Sequence, residues 1–210
     1  MSLNLNNLET IKENLKIYPK SNLLIVTKNQ SIQDIQALYS MGYKLFGENR
    51  VQEATKKYKD LSSKYLELHL IGPLQTNKVK QALKIFDVIQ TIDRIALIDE
   101  ISSKLNTLSE TKTKEFYIQV NIGNEIQKSG VDIDQLSDIY KYAIGKSLNI
   151  KGLMCIPPNI SDPGKYFGKM LDIKDMLDQN LKLSMGMSGD YLIALKYNSN
   201  LIRVGSLIFE

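Results

Sequence analysis

The chain has 210 residues, 43% of them apolar and 24% charged, which is enough for one sizeable core and leaves no low-complexity segment typical of disorder. The net charge is +4, and the lysines are scattered among acids rather than clustered, so we expect no nucleic-acid partner. No apolar run is long enough to span a bilayer, no secretory signal pattern opens the chain, and a single cysteine, Cys155, excludes an intramolecular disulfide, so we expect a cytoplasmic protein without membrane attachment.

Segments with strand character alternate with segments of helical periodicity along the whole chain. Strands are predicted at residues 22–27, 43–46, 66–71, 87–91, 115–121, 150–155, 182–184 and 201–204. Helices are predicted at residues 5–17, 31–41, 49–63, 76–85, 94–107, 132–145, 164–179 and 189–196. The clearest helix is 31–41, because Ser31 is a good N-cap, Asp34 follows three residues later and Gly42 occupies the position of a C-terminal glycine.

Eight strands alternating with seven helices, preceded by one more helix, predict an α/β fold: a single (β/α)8 TIM-type barrel with an additional N-terminal helix. We expect residues 1–210 to form one domain, since no linker or composition shift divides the sequence. An open, doubly wound sheet is the alternative.

Chemistry in such barrels is found at the C-terminal ends of the strands. Lys28 follows the first strand. Small residues, hydroxyls and an arginine accompany the last two strands, in the segments 185–188 (MGMS) and 203–206 (RVGS), where backbone N–H groups could bind a phosphate. Each position alone is explained by turn composition. Together they suit an aldehyde cofactor that carries a phosphate, with Lys28 as a Schiff-base lysine whose pKa is lowered by burial at the barrel mouth.

Seven segments resemble the pyridoxal phosphate homeostasis protein family, whose fold is similar to the barrel domain of alanine racemase. They are IVTK (25–28), FGENRVQEA (46–54), LHLIGPLQTNKVK (68–80), IQVNIGNEIQKSG (118–130), IKGLMCIPP (150–158), LSMGMSGDY (183–191) and IRVGSLIF (202–209). They follow the family's order over nearly the whole chain. Pro73, Thr27, Gly189 and Glu210 depart from the family pattern, which affects loop details rather than the lysine.

The resemblance implies a site for pyridoxal 5′-phosphate (PLP). Lys28 would hold PLP as an internal aldimine, and Arg203 would face the pyridine nitrogen. Asn49 would lie near the ring, and Lys128 is placed near the pocket. We expect Met187, together with Met154 and Met185, to line it. The phosphate ligands would be Ser188, Gly205 and Ser206.

Arg203 separates the possible functions, because a permanently cationic partner keeps the pyridine nitrogen unprotonated and weakens PLP as an electron sink. A racemase also needs two bases, and in the racemase family the second comes from a separate C-terminal β-domain. The printed sequence ends directly after the eighth strand, so we expect a PLP carrier in vitamin B6 homeostasis with little or no turnover. A weak racemase or lyase remains open, as does a phosphate-binding barrel enzyme without PLP.

Other residues that could carry chemistry have simpler explanations. His69 and Cys155 lie in apolar strand segments, where packing is the usual role of a buried cysteine. No carboxylate or histidine cluster has metal-ligand spacing. We therefore expect PLP as the ligand, PLP-dependent apoenzymes as the partners that receive it, no metal, and a monomer.

Overall fold

The computed structural model describes residues 3–58, 66–125, 127–160 and 162–209. Eight strands form the sheet: β1 (Asn22–Val26), β2 (Leu45–Glu48), β3 (Glu67–Leu70), β4 (Val88–Ile92), β5 (Glu115–Val120), β6 (Ile150–Cys155), β7 (Lys182–Ser184) and β8 (Leu201–Val204). The helices are α1 (Leu5–Ile17), α2 (Ile32–Ser40), α3 (Val51–Tyr58), α4 (Val79–Ile85), α5 (Ile95–Thr107), α6 (Leu136–Gly145), α7 (Gly164–Leu177) and α8 (Tyr191–Lys196). Short 3-10 turns at Thr76–Lys78 and Ile133–Gln135 precede α4 and α6.

The strands pair in parallel, each with its neighbour in the chain, and β8 returns to pair with β1. The sheet is therefore a closed barrel in the order β1 to β8, which confirms the predicted TIM-type fold with an extra N-terminal helix. The predicted strands match the observed ones to within two residues. The predicted helix 49–63 is observed as Val51–Tyr58, and its last residues lie outside the part of the chain that the structure describes.

Successive side chains along each strand point alternately to the outside and to the inside of the barrel, as the pleat requires. The outward set packs with the helices in one large hydrophobic cluster that includes Ile25, Phe46 and Leu68. The inward set forms a smaller cluster of Val88, Tyr117 and Met154 inside the barrel. Polar residues further along the strands, such as Glu48, Gln90 and Ser184, are thus buried, and they need partners.

Polar groups are concentrated at the C-terminal ends of the strands. Because all eight strands are parallel, their C-terminal ends meet at one face, and the loops that follow β1, β2, β7 and β8 surround the junction where the barrel closes. Among the described helices, none is long and apolar enough to cross a membrane.

Candidate functional site

Lys28 lies on a tight turn directly after β1. The N–H of Gln30 donates to the carbonyl of Thr27 at 3.0 Å, and Asn29 has a φ of 62°, the positive value that a type II turn requires at its third residue. The side chain of Lys28 is exposed, so the expected burial at the barrel mouth is wrong. A residue at the second position of a surface turn projects from the backbone, which leaves the ammonium group accessible to a ligand.

The loop after β8 supplies backbone donors next to the end of β1, and the loop after β7, the strand that pairs with β8, supplies others. Val204 pairs with Ile25, and a Cβ placed on Gly205 would lie 3.0 Å from the carbonyl oxygen of Val26, so the end of β8 lies against the end of β1. Two pairs of neighbouring backbone N–H groups have no hydrogen-bond acceptor within the described parts of the chain. They belong to Ser188 and Gly189 and to Ser206 and Leu207. Free N–H groups of this kind suit a phosphate.

Met187 and the two serines differ in exposure. Met187 is 36% exposed, Ser188 is half-buried and Ser206 is exposed. The N–H of Met187 donates to the carboxylate of Asp190, which starts α8 and fixes the first part of the loop. Met154 and Met185 are fully buried, and Met185 belongs to the hydrophobic cluster outside the barrel. The expected methionine lining thus remains a prediction for Met187.

Among the predicted site residues, Arg203 is the most deeply buried. Its side chain points into the barrel and is 3% exposed. One Nη donates to Oγ of Ser184 at 2.9 Å and the other to the carbonyl of Cys155 at 2.8 Å. Burial lowers the pKa of the guanidinium, and arginine nevertheless keeps its positive charge in proteins. These two bonds use two of its five N–H donors, and the others can face a ligand.

A chain of hydrogen bonds continues from Arg203 through the barrel. The Ser184 hydroxyl donates to Oε1 of Gln90 at 2.7 Å, and Nε2 of Gln90 lies 2.7 Å from Nδ1 of His69. Nε2 of His69 lies 2.7 Å from Oε1 of Glu67, and His69 is 3% exposed. Each bond then has one donor and one acceptor if His69 is neutral with its proton on Nε2. His69 is therefore part of a polar interior and does not simply pack in an apolar strand.

Asn49 follows β2 and is half-buried. Its Oδ1 is buried and has no partner among the described residues. A Cβ on Gly72 would lie 2.1 Å from the carbonyl oxygen of Asn49, so only glycine lets the loop after β3 approach this backbone. An unpaired buried acceptor is costly, and a donor on a ligand would satisfy it.

A second polar cluster lies outside the barrel, between the ends of β1 and β2 and helix α3. The Thr27 hydroxyl donates to Oε1 of Glu48 at 2.7 Å, and the Tyr58 hydroxyl lies 2.8 Å from the Thr27 oxygen. Lys57 lies 3.0 Å from Oε1 of Glu48 and 2.6 Å from Oε1 of Glu53. Burial raises the pKa of Glu48, and its Oε2 has no partner in the described structure. The sequence did not single out Lys57, because lysine on a polar helix face is typical of solvated surface.

Lys128 lies in the loop after β5, across the barrel from β1. Its ammonium group donates to the carbonyl of Pro157 at 3.0 Å and pairs with Glu125. It lines a groove of 830 Å³ together with Asn121, Asp132 and Lys169. Within the described ranges, no group of three or more histidine, cysteine, aspartate or glutamate side chains could hold a metal ion.

Comparison with known proteins agrees with this geometry. The family model for the N-terminal domain of alanine racemase matches residues 5–210. A pyridoxal phosphate homeostasis protein of Aquifex aeolicus is 36% identical over 196 residues, which cover 89% of this chain and 85% of the relative. The chain belongs to the pyridoxal phosphate homeostasis protein family. The resemblance seen in the seven sequence segments is thereby confirmed.

Solved structures support the same assignment. PipY of Synechococcus elongatus PCC7942, solved with PLP bound, has a TM-score of 0.86 at 30% identity, with 98% of this chain and 99% of that chain covered. The same protein without PLP has a TM-score of 0.88. An alanine racemase of Clostridium difficile has a TM-score of 0.78 at 12% identity and covers 98% of this chain but 56% of its own, which shows a shared barrel fold.

Proposed function

We propose that this protein binds PLP at the C-terminal face of the barrel and serves in intracellular PLP homeostasis, holding the cofactor on Lys28 as a Schiff base. One observation carries the proposal. An accessible lysine, Lys28, stands on the turn after β1, and the adjacent loops after β7 and β8 present N–H groups without acceptors in the described structure. The family relatives named for PLP homeostasis and the PLP-bound neighbour support it.

The residues present fit PLP at each of its polar groups. The ε-amino group of Lys28 would condense with the aldehyde, and one water would leave as the C=N bond forms. The hydroxyls of Ser188 and Ser206 and the nearby backbone N–H groups, including that of Gly205, would bind the phosphate. The unpartnered Oδ1 of Asn49 is an acceptor for a donor on the ligand.

Arg203 is the reason to propose a carrier rather than an enzyme. PLP is a strong electron sink when its ring nitrogen is protonated. Arg203, which we place against that nitrogen, is a donor that does not give up its proton at neutral pH, and its hydrogen bonds to Ser184 and Cys155 hold it inside the barrel. Bound in this way, the cofactor would be stored with little turnover.

The test is covalent mapping. Purified protein incubated with PLP and reduced with borohydride would gain the mass of a reduced PLP adduct on the peptide that contains Lys28. The Lys28→Ala variant would lose this adduct, whereas Lys56→Ala, which removes an exposed lysine of α3, would keep it. An adduct spread evenly over several lysines, or an unchanged adduct in Lys28→Ala, would overturn the proposal.

Turnover is tested separately. The PLP-loaded protein, incubated with L-alanine or D-alanine, would not change the enantiomer ratio faster than free PLP does. Racemisation faster than that by free PLP would overturn the carrier proposal and would show that the protein acts as a small racemase.

Three further features belong to the proposal: cytoplasmic location, action as a monomeric single domain, and transfer of PLP to apoenzymes. Cys155 is fully buried and burial raises its pKa to about 12, so this thiol is unreactive.

A further inference from the structure

Lys28 is held by its backbone neighbours rather than by its own side chain. The carbonyl of Thr27, directly before it, accepts from Nζ of Lys57 at 2.6 Å. The N–H of Asn29, directly after it, donates to Oε1 of Glu53 at 2.7 Å. Both contacts come from α3, and they lie on the two sides of one residue. The turn is thus attached to the helix at the positions that flank Lys28.

Lys57 is fully committed to this attachment. Its ammonium group has three N–H donors, and three acceptors surround it: the carbonyl of Thr27 at 2.6 Å, Oε1 of Glu48 at 3.0 Å and Oε1 of Glu53 at 2.6 Å. Its side chain is 11% exposed. A lysine with every donor used and little contact with water acts as a fixed structural group, in contrast to the exposed Lys28.

Glu53 completes the arrangement, because a single oxygen accepts from both Lys57 and Asn29. Burial is the largest single influence on the pKa of Glu53 and raises it, but the hydrogen bonds to Lys57 and Asn29 together with nearby positive charges outweigh burial and lower the pKa, so it is the ionised form that makes these bonds. Asn29 needs such support, since its φ of 62° lies in the left-handed region. Without Glu53, the peptide after Lys28 would be free to rotate.

We propose that Lys57 and Glu53 are positioning residues that fix the turn 27–30 so that the amino group of Lys28 points at the bound aldehyde. This proposal rests on the proposed function, since it concerns the bond between Lys28 and PLP. Lys28 has four rotatable side-chain bonds, so a fixed backbone is what restricts the volume that its amino group samples. The two residues act on covalent attachment, and within the described parts of the chain no hydrogen bond or ion pair joins them to the loops after β7 and β8.

The first experiment compares two ligands in two variants. PLP forms a Schiff base, whereas pyridoxine 5′-phosphate carries the same phosphate and ring but an alcohol in place of the aldehyde. Lys57→Met would raise the Kd for PLP about tenfold, the effect of losing one charged hydrogen bond, and would leave the Kd for pyridoxine 5′-phosphate unchanged. Lys56→Met makes the same charge change on the neighbouring exposed residue and would change neither Kd.

A second pair of variants covers the case in which Lys57→Met does not fold. Glu53→Ala would weaken PLP binding in the same way, whereas Glu53→Gln would restore most of it, because the amide oxygen still accepts from Asn29. In the protein without cofactor, the amide of Asn29 would exchange its hydrogen faster in Glu53→Ala than in the wild type. That readout does not depend on PLP.

The outcomes separate the two proposals. If wild-type protein binds PLP no more tightly than pyridoxine 5′-phosphate, the Schiff base itself is wrong. If the wild type prefers PLP and both Lys57→Met and Glu53→Ala keep that preference, the positioning role is wrong. Equal weakening of both ligands would also overturn it, because a general loss of structure affects the phosphate loops as much as Lys28.

Discussion

At the scale of single residues, Glu48 is the clearest source of pH dependence. Its side chain has no exposure, Oε1 accepts from Thr27 and Lys57, and Oε2 has no partner in the described structure. Burial is the largest influence on its pKa and raises it above 4.5, against the lowering effects of Thr27 and Lys57. The native protein therefore binds a proton at Glu48 in a range where the unfolded chain has released it.

The sign of the effect follows from linkage. Because the folded pKa of Glu48 is raised, its contribution to stability is complete below the unfolded value of about 4.5 and is lost as the pH rises through the folded pKa. Glu48→Gln removes this titration. We expect the free energy of unfolding of Glu48→Gln, minus that of the wild type, to increase as the pH rises above about 4.5.

Urea unfolding at a series of pH values measures this difference. Subtracting the wild type cancels the titration of the other carboxyl groups, including Glu53 and Glu67, whose lowered pKa values act in the opposite direction. A difference that decreases with pH would mean that the ion pair with Lys57 outweighs burial.

At the scale of elements, α2 shows that the local sequence can specify both ends of a helix. Oγ of Ser31 accepts from the N–H of Asp34 at 3.1 Å, and the Ser31 hydroxyl donates to the Asp34 carboxylate at 2.6 Å. The predicted N-cap is thus confirmed. Gly42, after the helix, has a φ of 95°, as the predicted C-terminal glycine requires.

We expect Ser31→Ala to lower the free energy of unfolding by about 1 kcal/mol, since the N–H of Asp34 loses its acceptor at an exposed helix start. Ser103→Ala is the matched control, because Ser103 is exposed in the middle of α5, where alanine is the better helix former. Equal effects of the two substitutions in urea unfolding would contradict the cap.

Helix α3 shows where the sequence was less informative. Its apolar positions, Val51 and Ala54, predict a helix, and the helix is there. The same pattern assigns Lys57 to the solvent side. In the fold, Lys57 reaches buried acceptors on Thr27, directly after β1, and on Glu48 of β2, because the helix lies over the ends of both strands. A contact between positions 27 and 57 has no signature in local periodicity.

At the scale of the whole molecule, the polar chain inside the barrel joins residues from four strands. Gln90 is its centre: it accepts from Ser184 and donates to His69, and both bonds are 2.7 Å long. Gln90 itself has no exposure. No pair of these residues is close in sequence except His69 and Glu67, so closure of the barrel creates the chain.

We expect Gln90→Met to lower the free energy of unfolding by about 2–4 kcal/mol, because it leaves the Ser184 hydroxyl without an acceptor and Nδ1 of His69 without a donor in the buried interior of the barrel. Gln81→Met is the control. It makes the same exchange on α4, where Gln81 is half-buried and makes one hydrogen bond, to Thr55, and we expect a cost below about 1 kcal/mol. Urea unfolding of both variants measures the two costs. Equal costs would refute a stabilising role for the chain of hydrogen bonds through Gln90.

The sequence by itself determined the order and ends of the strands and the barrel, since periodicity, caps and strand-end residues act over a few neighbouring positions. The resemblance of seven segments indicated the family. The sequence also predicted Lys28 and Arg203 as site residues, and their roles stay predictions. The tertiary structure decided what surrounds them: the exposure of Lys28, its attachment through Lys57 and Glu53, and the chain from Arg203 to Glu67. Except for His69 and Glu67, these contacts join residues from 19 to 94 positions apart, for example Ser184 to Gln90, and closing the barrel is the physical step that brings such residues together.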